Sequence, residues 1–172
     1  LYSEFDTRPK PVNNRWTLLC SEKEKREMIK IELDAVPPVV ADGGLTVSFP
    51  FHSAMGAAST AAVWITLDPG AELAEHCDSA EELLYAVDGV VEASVGDESG
   101  DLRAGEVALV PAMVRHSLRN TGDVQARVFG FFSASTNIAT FTEPMGPDGP
   151  QVVAIGAPVP LAAPLPQVAA LA

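Results

Sequence analysis

PGAELAEHCDSAEELLYAVDG, residues 69–89, and GEVALVPAMVRHSLRN, residues 105–120, carry two of the chain's three histidines, and their reading decides the fold. On a strand, residues two apart point to one face, so His76 and Asp78 project together and Cys77 projects the opposite way, as an inert packing residue. Ser79, Ala80 and Glu81 are able to turn the chain, which brings Glu82 back opposite them on the next strand. An imidazole and two carboxylates converging on one face make a metal-site arrangement. The plainer alternative is a buried histidine acting as a structural hydrogen-bonder, with Glu82 as one half of an ion pair.

Outward from these stretches the chain repeats one theme. Short β-branched or aromatic runs near 45–51, 61–68, 72–77, 82–87, 90–95, 106–110, 115–120, 125–132 and 151–155 are separated by Gly, Pro and Asp turns. Strands this short, with almost no helical periodicity, predict an all-β sandwich, jelly roll or barrel. The ends read differently. Pro9 and Pro11 mark an extended arm, Ser21 to Glu24 fits a capping box that predicts a helical turn to about Glu27, and Ile29, Ile31 and Leu33 alternate as in a strand. Seven of the fourteen prolines follow residue 143, so the tail is extended, either frayed or docked on a partner subunit. The expected organisation is an N-terminal arm with a short helix and strand (1–40), one domain (41–156) and a Pro/Ala-rich tail (157–172).

Charge narrows the function. Of 172 residues 47% are apolar, enough for a packed core, and the net charge is −12. Such a polyanion repels phosphate backbones and anionic lipid, which argues against nucleic-acid and membrane-surface partners. Residues 1–33 hold seven of the eleven cations, including all four lysines. A site in the main body therefore has no lysine for Schiff-base or phosphate-loop chemistry. Two cysteines are too few for a disulfide scaffold, no apolar run reaches membrane-spanning length, and the start has no apolar stretch of signal-peptide length. The expectation is a soluble, cytoplasmic protein.

The two stretches resemble the paired motifs of the cupin superfamily. Gly70, His76, Glu82 and Gly89, then Gly105, Pro111, His116 and Asn120, stand at the spacings of those motifs, and the fifteen residues between Gly89 and Gly105 resemble the spacer of small single-domain cupins. The resemblance implies a double-stranded β-helix (a jelly-roll barrel), a homodimer by family default, and one divalent metal ion, Fe(II) first, with Mn, Ni or Zn as alternatives. Two positions depart from the pattern: Asp78 replaces the second histidine, and Met113 replaces a glycine, which puts the usual tight turn in doubt. Carried across by position, the ligands are His76, Asp78, Glu82 and His116. Two carboxylates and two neutral imidazoles cancel a divalent charge, which weakens the Lewis acid and suits harder ions. Alternatively Asp78 swings away as a nearby base, leaving His76, Glu82 and His116 as a two-histidine, one-carboxylate set.

A weaker resemblance, carried by ADGGLTVSFPFHSA (41–54), PGAELAEH (69–76) and NIATFTEPMGPDGPQVVAIG (137–156), is to small cupin dioxygenases that cleave C–C bonds in β-diketones or hydroxyacetophenones. It implies a mononuclear non-haem iron dioxygenase acting with O2 on a small oxygenated carbonyl or phenolic molecule, with Glu82 or Asp78 moving protons. A non-redox lyase, isomerase or decarboxylase on the same ligands, and a non-catalytic binding cupin, are the competing readings. Leu84, Ala86, Leu118 and one of Trp64 or Phe51 are expected to line a water-poor pocket. Arg115 and Arg119 are expected to face away from it, and His52 to serve in a loop or at the surface.

Overall fold

The computed structural model describes residues 28–144 and 150–156. Among these residues twelve strands form two six-stranded antiparallel sheets. The first sheet runs β1 (Val40–Asp42), β2 (Leu45–Phe51), β3 (Ala61–Leu67), β10 (Ala126–Phe132), β5 (Glu82–Asp88), β8 (Val107–Val110). The second runs β12 (Val152–Ile155), β11 (Asn137–Phe141), β4 (Glu72–Asp78), β9 (His116–Asn120), β6 (Val90–Val95), β7 (Glu98–Arg103). Apart from the neighbours β1–β2–β3, β6–β7 and β11–β12, consecutive strands cross from one sheet to the other, which is the jelly-roll arrangement expected from the sequence. Among the described residues the only helical elements are the 3-10 turns Leu33–Ala35 and Ser53–Met55, and no helix is long and apolar enough to cross a membrane.

The core lies between the sheets. Alternate residues of β3 (Ala61, Val63, Ile65, Leu67) and of β10 (Ala126, Val128, Phe132) meet Val91, Leu102 and Leu118 from the facing sheet, all buried. β10 shows the period-two burial that a half-covered strand imposes on its sequence, whereas β3 is buried on both faces. The chain crosses from β5 in one sheet to β6 in the other at Gly89, where φ is +75° and an added Cβ would lie 2.8 Å from the Ala126 backbone, so only glycine fits.

Several expectations need correction. Ile29, Ile31 and Leu33 form no strand; Leu33 begins a 3-10 turn, no strand among the described residues pairs with this stretch, and Ile29 is exposed. Trp64 is buried on the face opposite Val63 and Ile65, donating from Nε1 to Asp34 Oδ1 at 3.1 Å under Arg127, and Phe51 does not line the cavity. Strands β1, β7 and β11 went unread: β1 has three residues, β7 is a polar edge strand with only Leu102 buried, and the Ser135-Thr136-Asn137 run before β11 looks like a turn. The turn at Met113 survives the loss of glycine, because Met113 itself adopts φ +64°. The expected helix ending near Glu27 and the tail 157–172 lie outside the described residues.

Candidate metal centre

The four expected site residues come together between the sheets. β4 supplies His76 and Asp78, its neighbour β9 supplies His116 directly across from His76, and Glu82 faces them from β5 of the other sheet. All four are buried. A bulge sets the aim of β4. Leu73 pairs with Leu118 and His76 with His116, three residues apart on one strand and two on the other. The extra residue lets Leu73 and His76 both point inward while Ala74 and Glu75 stay exposed.

Backbone carbonyls orient the imidazoles. His76 Nδ1 lies 2.8 Å from Ala74 O, and His116 Nδ1 lies 3.0 Å from Val114 O. A carbonyl only accepts, so each Nδ1 carries hydrogen and each Nε2 faces the site. His116 Nε2 is 3.2 Å from Asp78 Oδ2 and 3.4 Å from Glu82 Oε2, and His76 Nε2 is 3.6 Å from Asp78 Oδ2. The rings lie 4.1 Å apart, and Phe141 stacks on His76 at 4.7 Å.

Asp78 Oδ2 and His116 Nε2 are buried without a hydrogen-bond partner. Two such atoms aimed at one point are costly unless a cation, either the His116 proton or a metal ion, lies between them. Donor atoms of His76, Asp78 and His116 all lie within 4.8 Å of one another, so this cluster could hold one metal ion. Two imidazoles and one carboxylate are a donor set that divalent transition ions accept.

The electrostatics of the metal-free cluster agree with a stored charge. Burial opposes ionisation of His116, but the Asp78 and Glu82 carboxylates and the Val114 carbonyl outweigh it and raise its pKa to about 10. Burial and the neighbouring His116 lower His76. Burial raises Glu82, with His116 pulling the other way and Asp78 adding to the rise.

Around these groups lies a small apolar cavity of about 40 Å³, whose wall includes Val63, Leu73, Leu84, Leu118, Phe132 and Phe141. Among the described residues its polar lining is His76, Asp78, Glu82 and His116, with no lysine or arginine. Ala86, expected to line the site, is buried in the core instead. Arg115 turns outward to Glu75 at 3.5 Å, Cys77 is half-buried on the opposite face of β4, and His52 heads the Ser53–Met55 turn outside the cavity.

Two participants went unread in the sequence. Asn137 on β11 donates to Asp78 Oδ1 at 2.6 Å, and Gly130 on β10 makes room for the Glu82 carboxylate. Neither lies in a spaced motif; only the pairing of β11 with β4 and of β10 with β5 reveals them.

Comparison with known proteins agrees with this geometry. A family model described as "Cupin domain" matches residues 63–132. Protein SchB of Streptomyces halstedii is 35% identical over 99 residues, 57% of this chain and 72% of that protein. Tetracenomycin polyketide synthase protein TcmJ of Streptomyces glaucescens is 33% identical over 100 residues, 58% of this chain and 67% of that protein. Among solved structures, the polyketide cyclase RemF from Streptomyces resistomycificus superposes with a TM-score of 0.54 at 14% identity, over 62% of this chain and 79% of that one. Lactobacillus farciminis oxalate decarboxylase in complex with formate gives a TM-score of 0.55 at 21% identity, over 59% of this chain and 32% of that one. The chain thus spans about a third of that decarboxylase's length. At these identities the solved structures speak for the fold.

Proposed function

The chain belongs to the cupin family, and from that premise we propose that it is a metal-dependent enzyme closing rings on a neutral, carbonyl-rich molecule of the polyketide kind. The observation that carries this reading is the cavity itself: two imidazoles and two carboxylates gathered in a wall that, among the described residues, is otherwise apolar and without a cation. Such a lining favours a neutral substrate over an organic anion, whose carboxylate would meet Asp78 and Glu82 unpaired. The relative TcmJ, named as a tetracenomycin polyketide synthase protein, supports the substrate class.

His76, Asp78 and His116 would hold one divalent ion. When bound, it supplies Lewis acidity that polarises a carbonyl oxygen. Glu82 is then free for proton transfer, and burial, which raises its pKa, makes it a stronger base once ionised. In the reaction Glu82 takes a proton from a carbon between two carbonyls. That carbon's electron pair forms a bond to a carbonyl carbon farther along the same substrate, and the resulting alkoxide regains a proton. Loss of water gives the aromatic ring, so the step needs no oxidant. The apolar wall limits water and keeps the proton between Glu82 and substrate.

The test is anaerobic conversion of a linear tetraketone with alternating carbonyls into the acetyl- and methyl-substituted resorcinol that loss of one water gives. Metal-loaded protein is expected to accelerate it, and Glu82→Gln to remove about a hundredfold or more of that rate with metal retained. An unaccelerated reaction sinks the ring-closing reading. A second reading, oxidative C–C cleavage by a mononuclear iron dioxygenase, is favoured by the donor set itself, since two histidines and one carboxylate suit non-haem Fe(II) chemistry. Product formed only with O2, with iron bound, selects it.

A further inference from the structure

Asp78 stands where the resemblance puts a histidine, and a shorter side chain has room to turn away from a metal. The hydrogen bonds around it decide the matter. Asn137, fully buried at the start of β11, receives hydrogen bonds at Oδ1 from Ala80 N–H at 3.1 Å and from the Ser79 hydroxyl at 3.0 Å. A backbone N–H can only donate, so the carbonyl end of the amide must face it and the NH2 end must face Asp78. Reversing the amide would set donor against donor at Ala80 and acceptor against acceptor at Asp78. The Asn137 NH2 thus donates to Asp78 Oδ1 at 2.6 Å, while Asp78 Oδ2 is left without a hydrogen bond, 3.2 Å and 3.6 Å from the histidine Nε2 atoms. The backbone is pinned as well: Met113 N–H donates to Asp78 O at 2.8 Å, and Ser79 N–H to Ile138 O at 3.0 Å.

We propose that Asn137 is a positioning residue: it holds one oxygen of Asp78 so that the other is presented, together with His76 and His116, to a divalent cation, which makes Asp78 a ligand rather than a mobile base. Turning Asp78 away would break a short buried hydrogen bond to a charged group and strand the Asn137 NH2. The proposal rests on the metal-site reading and adds to it the residue that selects between the two roles of Asp78.

Mn(II) is the probe, because the solution resonance signal of the free ion falls as it binds. Asn137→Leu keeps the volume and removes the donor; its Mn(II) dissociation constant is expected to rise about tenfold to a hundredfold, the usual cost of losing such support. The fine structure of the bound Mn(II) spectrum should change as well. Ser79→Ala loosens the same turn but leaves the Asn137–Asp78 bond; it should bind Mn(II) within about threefold of wild type. In an Asp78→Ala background, Asn137→Leu should add less than about threefold, because coupling through a contact vanishes when one partner is gone. If Asn137→Leu does not fold, Asn137→Ser, too short to reach Asp78, replaces it with a weakening of the same sign.

Wild-type affinity in Asn137→Leu overturns the proposal. So does an equal loss in Ser79→Ala, or an undiminished effect without Asp78. Failure of the wild type itself to bind Mn(II), Fe(II) or Zn(II) overturns the proposal and the metal-site reading together, and is distinguishable from the other outcomes by that alone.

Discussion

Gly130 on β10 and Glu82 on β5 occupy one volume between them: a methyl group added at Gly130 would overlap Glu82 Oε1 and Val63 Cγ1. The Glu82 carboxylate reaches the site only because the adjacent strand has no side chain there. Gly130 lies within an extended strand and not in the left-handed region, so alanine is allowed by the backbone and excluded by volume alone.

Gly130→Ala is therefore expected to cost about 1–3 kcal/mol by overpacking. It should also displace Glu82, lowering ring-closing turnover as Glu82→Gln does. Metal content should hold, since His76, Asp78 and His116 are untouched. Urea unfolding and metal analysis on one preparation check both halves. Full turnover in Gly130→Ala removes Glu82 from the reaction.

Most of the site was legible because its chemistry is spaced along two short stretches. His76, Asp78, Glu82 and His116 follow from strand alternation and the paired motifs, and the structure brings all four together. Asn137 and Gly130 were not legible, because their roles arise from pairing between strands far apart in sequence, and a strand pattern says which face a residue takes but not whose neighbour it becomes. The same limit explains Trp64: alternation puts it opposite Val63 and Ile65, and an aromatic residue in an apolar run is easily assigned to the wrong face. At 29–33 alternation misleads, since no strand among the described residues pairs with that segment.

Asn120, a motif position, works by a different means. Its Nδ2 donates to Leu67 O and Val124 O, both at 2.8 Å, and its Oδ1 accepts from Gly122 N–H at 2.9 Å, with the side chain buried. Asn120→Ala strands these groups and is expected to cost about 3 kcal/mol. Metal stoichiometry at low temperature should be unchanged, as no atom of Asn120 reaches the cluster. Chemical denaturation beside metal analysis separates the two, and metal loss in a still-folded variant would count against a purely structural role.

Met113 offers a gain. Its φ of +64° burdens a Cβ-bearing residue, and its side chain is 66% exposed, so little packing offsets the strain. The left-handed conformation costs about 1–2 kcal/mol, against about 0.5–1 kcal/mol for the extra freedom glycine brings to the unfolded chain. Met113→Gly should therefore stabilise the protein by about 0.5–1 kcal/mol. A lower thermal midpoint would show that the methionine makes a compensating contact.

The buried cluster also sets a pH dependence. In the metal-free protein the carboxylates raise the His116 pKa from 6.5 to about 10 against the opposing effect of burial. A raised folded-state pKa means stability fully present below pH 6.5 and lost as pH climbs through about 10. Glu82, raised by burial, adds a loss of the same sign beginning above its ordinary value of 4.5, while His76, lowered by burial and by His116, loses stability as pH falls below 6.5. A metal ligand must be neutral imidazole, so metal competes with the proton on His116 and its affinity should rise with pH across the interval from 6.5 to about 10. The thermal midpoint of metal-free protein is expected to fall over that interval, and that of metal-loaded protein to hold. Titration calorimetry at pH 8 in two buffers of different ionisation enthalpy should register a proton released on metal binding. Binding without proton release would mean that His116 is already neutral there, and that the carboxylates do not hold its charge.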